Sequence, residues 1–170
     1  MTLIKDGFFD ADELKILPGV PSEERLKKGP VVVIECAQQI PCNPCEEACL
    51  KGAIEIGESI VNLPKLNADM CSGCGLCVAA CPGQAIFVVD MAYSQTEATV
   101  QLPYEFLPCP KEGEVVAGLN RAGEKVCDAK VLKVLAPKKF DRTAVIKIAV
   151  PKNLGMIVRN IQLKNSDKED

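Results

Sequence analysis

The stretch from Cys71 to Pro82 constrains this chain more than any other. It reads Cys71-Ser-Gly-Cys74-Gly-Leu-Cys77-Val-Ala-Ala-Cys81-Pro82, a C-x2-C-x2-C-x3-C-P run. The first three thiols can face one centre only if the backbone curls tightly. Gly73 and Gly75 permit that curl, because glycine accepts positive φ and lets backbone N–H groups approach sulfur. The fourth cysteine, Cys81, falls at a short helical pattern and points away.

Upstream lies a partner to this run. Cys36, Cys42, Cys45 and Cys49 are spaced C-x5-C-x2-C-x3-C. Sliding one half onto the other sets Cys42 on Cys74, Cys45 on Cys77, Ala48 on Ala80 and Cys49 on Cys81. Ala53-Ile54 then falls on Ala85-Ile86, so the chain contains an internal repeat. The copies differ in two places. The first gap of the upstream copy is longer, with extra residues within Ala37–Pro41, and Leu50 replaces the proline after the fourth cysteine.

Over about residues 30–90 these runs resemble the bacterial two-cluster ferredoxins, in which the fourth cysteine of a run ligates the other cluster. The resemblance implies two [4Fe–4S] clusters with crossed ligation. Cluster I takes Cys36, Cys42, Cys45 and Cys81; cluster II takes Cys49, Cys71, Cys74 and Cys77. Without Cys36, cluster I becomes a three-iron cluster or takes an outside ligand. Zinc is the rival reading of paired C-x2-C motifs. It uses two close cysteines from each knuckle, would leave cysteines over in both runs, and finds no histidine in the chain. Disulfides among the ten cysteines would need a secreted protein.

Nothing points to secretion. Residues 1–20 show neither a basic n-region nor a long apolar h-region, so no signal peptide is expected. No run has the length of a membrane-spanning helix. The expected location is cytoplasmic, which suits reduced thiols. A net charge of −3 and a pI near 5.2 give no reason to expect nucleic-acid binding.

The expected class is α+β, a ferredoxin-like dicluster domain followed by a small antiparallel β sandwich or barrel. Residues 1–29 form an N-terminal arm. Its Phe8, Phe9, Leu14, Ile16, Leu17 and Val20 are too apolar for a free tail, and Ser22 can cap a short helix from Glu23. The arm is either a strap over this chain's own core or a limb that lies on a partner. Residues 30–92 form the dicluster domain. Its strands are expected at Val31–Ile34, 53–57, 59–63 and 85–90, with one helical turn from Glu46. Residues 93–165 form the β domain, with strands over 99–106, 114–119, 124–135, 143–150 and 156–163 and a hairpin turn at 120–123. Val100, Leu102, Tyr104 and Phe106 alternate onto one face. Residues 166–170 form a polar tail. Cys109 and Cys127 lie outside both runs and read as small buried apolar side chains. The basic stretch from Lys130 to Arg142 reads as a solvated face, or else as a dock for an acidic partner.

No catalytic constellation is visible. The commonest general base is missing, and neither a nucleophile elbow nor a phosphate loop occurs. The sequence shows no place for an organic substrate. The expected function is electron transfer, as the small iron–sulfur subunit of an oxidoreductase. The expected partner is a flavoprotein dehydrogenase, because a flavin splits a hydride pair into the single electrons a cluster accepts. A freestanding dicluster carrier and a structural or redox-sensing iron–sulfur module are the alternatives.

Overall fold

The structure is a computed structural model that describes residues 2–164; the polar tail expected at 166–170 lies outside the described residues. Three short helices open the chain: α1 (Thr2–Asp6), α2 (Ala11–Lys15) and α3 (Glu23–Leu26). Asp10 caps α2 by accepting from the N–H groups of Asp12 and Glu13, while Glu13 reaches back to the Asp10 N–H. Ser22 caps α3 through the Arg25 N–H, as its sequence position implies.

The cysteine half follows, as β1 (Val31–Ile34), α4 (Pro44–Glu47), β2 (Ile54–Glu55), β3 (Lys65–Leu66), α5 (Leu76–Ala80) and β4 (Ile86–Asp90). The internal repeat is visible in space. One sequence offset carries α4 onto the start of α5 and the start of β2 onto the start of β4. Residues 59–63, expected as a strand, form a turn instead. The Asn62 N–H bonds the Ser59 carbonyl, and the Asn62 side chain donates to the Ile56 carbonyl at 3.0 Å. The partner strand of β2 is therefore displaced to Lys65–Leu66.

The C-terminal half supplies β5 (Glu97–Tyr104), β6 (Val115–Leu119), β7 (Lys125–Leu135), β8 (Ala144–Pro151) and β9 (Asn160–Gln162). The last strand is shorter than expected, because Lys152–Leu154 and the turn after it occupy the approach to it. These strands do not stand apart as a sandwich or barrel. They continue the sheet begun by β1 and β4, in the all-antiparallel order β1-β4-β5-β8-β7-β6-β9. The joint is the pairing of β4 with β5, where Val88, Val89 and Asp90 face Gln101, Val100 and Thr99. β4 leaves the second cysteine loop with one edge free, and a free edge of apolar residues is a template for another strand. The expected boundary at 92/93 falls in the turn of this hairpin.

Alternation along the strands sorts the side chains onto two faces. Phe87, Val100, Leu102, Tyr104, Val131, Ile146 and Ile148 form the core on one face. Phe106, expected on that face, lies beyond the end of β5 and is largely exposed. Val32, Ile34, Ile86, Val88 and Val145 point the other way and pack with Cys45, Cys77, Val78, Ile54 and Ile56. The cysteine loops thus lie against one face of the sheet.

The N-terminal arm is a strap over this chain's own core from Leu14 onward. Leu14 and Leu26 are buried, and Leu26 packs with Val31, Val33 and Val89. The Gly19 carbonyl accepts from the Ile34 N–H at 2.9 Å, and the Pro18 carbonyl accepts from the Leu66 N–H at 3.1 Å. A Cβ at Gly19 would lie 2.6 Å from Ile34 Cβ, so only glycine lets the strap run this close to β1.

Candidate metal centres

Two backbone features build the second cysteine loop. Gly73 and Gly75 have φ of +67° and +80°, and Gly75 stands at the N-cap of α5. A Cβ at Gly73 would lie 2.6 Å from Pro30 Cβ, so the loop tolerates no side chain there. The curl places Cys71, Cys74 and Cys77 around one cavity, which Cys49 from the other run also lines. A second cavity is lined by Cys36, Cys42, Cys45 and Cys81, closed by Ile34, Ile56 and Ile86. All eight cysteines of the two runs therefore stand in two sets of four, and each set takes its fourth member from the opposite run. Cys36 stands with its set despite the longer gap before Cys42.

The surroundings of the sulfurs favour a charged group. The Ala53 N–H donates to Cys49 Sγ at 3.2 Å, and the Ala85 N–H donates to Cys81 Sγ at 3.4 Å. These two bonds are repeat-related. Cys71 Sγ accepts from the Val32 and Gly73 N–H groups, both at 3.4 Å. Backbone donors aimed at sulfur stabilise thiolate and tune an iron–sulfur cluster.

Three of the thiols, Cys36, Cys45 and Cys77, are by contrast raised above the ordinary thiol range. Burial, then its neighbours Cys81 and Cys42, pushes Cys45 up to about 11. Burial, then Cys71, Cys74 and Cys49, pushes Cys77 up to about 12. Cys36 is raised too, first by burial and then by Cys81 and Cys42. Thiols raised in this way become thiolates when positive charge stands among them, which bound metal supplies. Among the described residues, no three His, Cys, Asp or Glu side chains are grouped to hold a single metal ion. A tetrahedral zinc site needs its sulfurs about 2.3 Å from one point. The residues present fit a cluster of several irons.

Beside the Cys36, Cys42, Cys45 and Cys81 set lies a buried charge group that its separate sequence positions give no reason to connect. Glu35 accepts from Arg121 Nε at 2.8 Å and from Arg159 Nε at 2.7 Å. Arg159 also donates to the carbonyls of Gly155 and Val158 and lies over the Phe87 ring. Burial alone would raise the Glu35 carboxyl, but the two guanidinium groups outweigh it and hold the carboxyl below its ordinary value. Burial pulls Arg159 down to about 10, and Glu35 opposes that. The triad joins the end of β1, one residue from Cys36, to the β6–β7 turn and the approach to β9.

The same elements wall a cleft of about 690 Å³ beside Cys36 and Cys81, with Phe8 and Phe9 of the arm on its other side. Cys109 and Cys127 are half-buried against the C-terminal core, away from both sets. Among the described residues, no helix is long and apolar enough to cross a membrane.

Comparison with known proteins agrees with this chemistry. Residues 64–87 match the 4Fe–4S binding domain family. An uncharacterized ferredoxin of Methanocaldococcus jannaschii is 32% identical over 128 residues, covering 73% of this chain and 75% of that protein. That match is too long to be confined to residues 30–92. The polyferredoxin protein MvhB of Methanothermus fervidus is 30% identical over 66% of this chain and 24% of its own length. The ferredoxin-type protein NapF of Escherichia coli is 37% identical over 29% of this chain and 31% of its own. The chain thus spans only a quarter to a third of these two relatives. No solved structure matches the chain significantly. The chain binds 4Fe–4S iron–sulfur and belongs to the ferredoxins, the iron–sulfur proteins of electron transfer.

Proposed function

We propose that the chain holds two [4Fe–4S] clusters, cluster I on Cys36, Cys42, Cys45 and Cys81 and cluster II on Cys49, Cys71, Cys74 and Cys77. It relays single electrons between them as the small iron–sulfur subunit of a multi-subunit oxidoreductase. The observation that carries this reading is the grouping of eight cysteines into two sets, each completed by the other run. Once loaded, such clusters supply one-electron redox chemistry. The protein's part is to hold the thiolates, aim backbone N–H groups at their sulfurs, and exclude water with Val32, Ile34, Ile54, Ile56, Ile86 and Val88.

Assembly with other subunits is supported by the surface. Ile40, Leu50, Ile60 and Met70 are exposed apolar side chains on the segments that carry or flank the cysteines. The cleft at Cys36 and Cys81 offers a second approach. A flavoprotein dehydrogenase is the proposed partner, since it can deliver electrons singly. The domain division proposed is functional rather than spatial: residues 30–92 carry the clusters, and residues 1–29 and 93–165 brace them.

The kinship with ferredoxins favours one rival, a freestanding carrier. Anaerobic purification from the native cell, with iron, sulfide and flavin assayed on the same fractions, separates the two. About eight irons per chain, co-eluting with flavin and larger subunits, is the expected result. Eight irons on a lone 18.3 kDa monomer would make the chain a diffusible carrier. About four irons would overturn the two-cluster reading.

A further inference from the structure

We propose that Arg25, in the N-terminal strap, is a positioning residue for the Cys49, Cys71, Cys74 and Cys77 set and raises the reduction potential of the cluster held there. The inference rests on the two-cluster reading above. Arg25 lies on α3, distant from Cys71 in sequence, yet its guanidinium is fixed to that loop. Nε donates to the Ala68 carbonyl at 2.8 Å and Nη2 to the Cys71 carbonyl at 2.9 Å. Longer bonds of 3.3 Å run from Nη1 to the Gly29 carbonyl and from Nη2 to the Pro30 carbonyl. The planar fork of arginine suits this clasp, and the three-donor point charge of lysine does not reproduce it.

Two further contacts show that the clasp bears on the cysteine itself. Pro30, whose carbonyl Arg25 holds, packs so closely on Gly73 that a Cβ there would lie 2.6 Å from Pro30 Cβ. Val32, two residues on, donates its N–H to Cys71 Sγ. The segment from Arg25 to Val32 therefore grips Cys71 at its carbonyl, at its sulfur and at the turn that follows.

The charge argument is separate. Among the described residues, no carboxylate forms an ion pair with Arg25, whereas Arg121 and Arg159 share Glu35. Carbonyl dipoles hold the guanidinium but do not cancel its charge. Reduction adds one negative charge to a cluster. An uncancelled cation hydrogen-bonded to a ligand residue's backbone favours that addition. At the other set the described guanidinium groups, Arg121 and Arg159, are held by Glu35 and donate to the carbonyls of Met156, Gly155 and Val158 rather than of a run cysteine, so the effect of Arg25 belongs to one cluster.

The test uses the full chain, reconstituted anaerobically, with iron counted and both reduction steps followed by potentiometric titration with electron paramagnetic resonance. Cys36→Ala identifies the step that belongs to cluster I. In Arg25→Met the cluster II step is expected at a more negative potential, with the cluster I step unmoved. Arg25→Lys, which keeps the cation without the fork, falls between. Loss of about half the iron in Arg25→Met, with the cluster I step retained, equally supports the positioning role. Unchanged potentials at full iron would overturn the proposal, as would equal shifts of both steps or equal loss of iron from both sets. Failure of the two-cluster reading is distinguishable, because it shows in the wild-type iron count before any variant is made.

Discussion

Among the described ion pairs, those of Glu35 are the buried ones. Glu35 is 7% exposed and shared by two arginines, one 4% and the other 14% exposed. Removing a partner from a buried ion pair leaves a charge uncompensated, at a cost of about 3–5 kcal/mol. Glu35→Gln would leave both guanidinium groups without a carboxylate, and is expected to lose stability in that range when urea unfolding is compared with wild type. A loss below about 1 kcal/mol, the level of an exposed pair, would show that water screens the triad. At Gly73 backbone and sterics act together. Alanine there must hold φ near +67°, at about 1–2 kcal/mol, and also displace Pro30. Gly73→Ala is expected to keep the Cys36, Cys42, Cys45 and Cys81 set and lose iron from the other, so that iron falls by about half. Full iron at both sets would mean that the strap yields more readily than this packing implies.

At the scale of elements, what was legible followed from local rules. The cysteine spacing, the α3 cap at Ser22 and the alternation of Val100, Leu102 and Tyr104 rest on neighbours in sequence, and the structure shows their local forms. The cap of α2 is equally local, since Asp10 and Glu13 spell a capping box among apolar neighbours. The strand at 59–63 failed because its apolar residues face no sheet; Ile60 is half exposed in the turn. The pairing of β4 with β5 was not legible, since alternation says that a strand has a buried face but not which strand it joins. β5 carries a visible trace of that pairing. Thr99 and Gln101, on the face opposite Val100, are buried as well, and Gly75 of the cysteine loop lies against Gln101. The link between Glu35, Arg121 and Arg159 is illegible for the same reason: only the joined sheet brings them together. A strand buried on both faces should tolerate truncation poorly. Leu102→Ala, at a site with no exposed surface, is expected to cost about 2–5 kcal/mol in denaturant unfolding while iron binding persists. A cost under 1 kcal/mol would mean that the core collapses around the gap.

Across the whole molecule, besides the smaller cluster under the strap, the sheet serves a C-terminal core and a cysteine-side core of different composition. The C-terminal core is built from Val100, Leu102, Val131, Ile146, Ile148 and their neighbours and takes no cysteine from either run. The core on the cysteine side includes Cys45 and Cys77 among its buried members, with Cys36, Cys49, Cys71 and Cys81 packed against it. Its elements α4, β2 and β3 are one turn or two residues long, too short to hold themselves by hydrogen bonds alone. Metal binding and folding are therefore expected to be coupled in residues 36–82, but not in β5–β8, whose long paired strands carry their own burial. Removing iron under reducing conditions should divide the molecule along that line. Amide hydrogen exchange of the iron-free chain is expected to stay slow through residues 98–104 and 144–150. Through residues 36–82 it should become fast, apart from what β1 and β4 retain by their own pairing. Uniform loss of protection would show that the metal sites hold the entire sheet together through the β4–β5 joint. Uniform retention would show that the cysteine loops are formed by packing before any iron arrives.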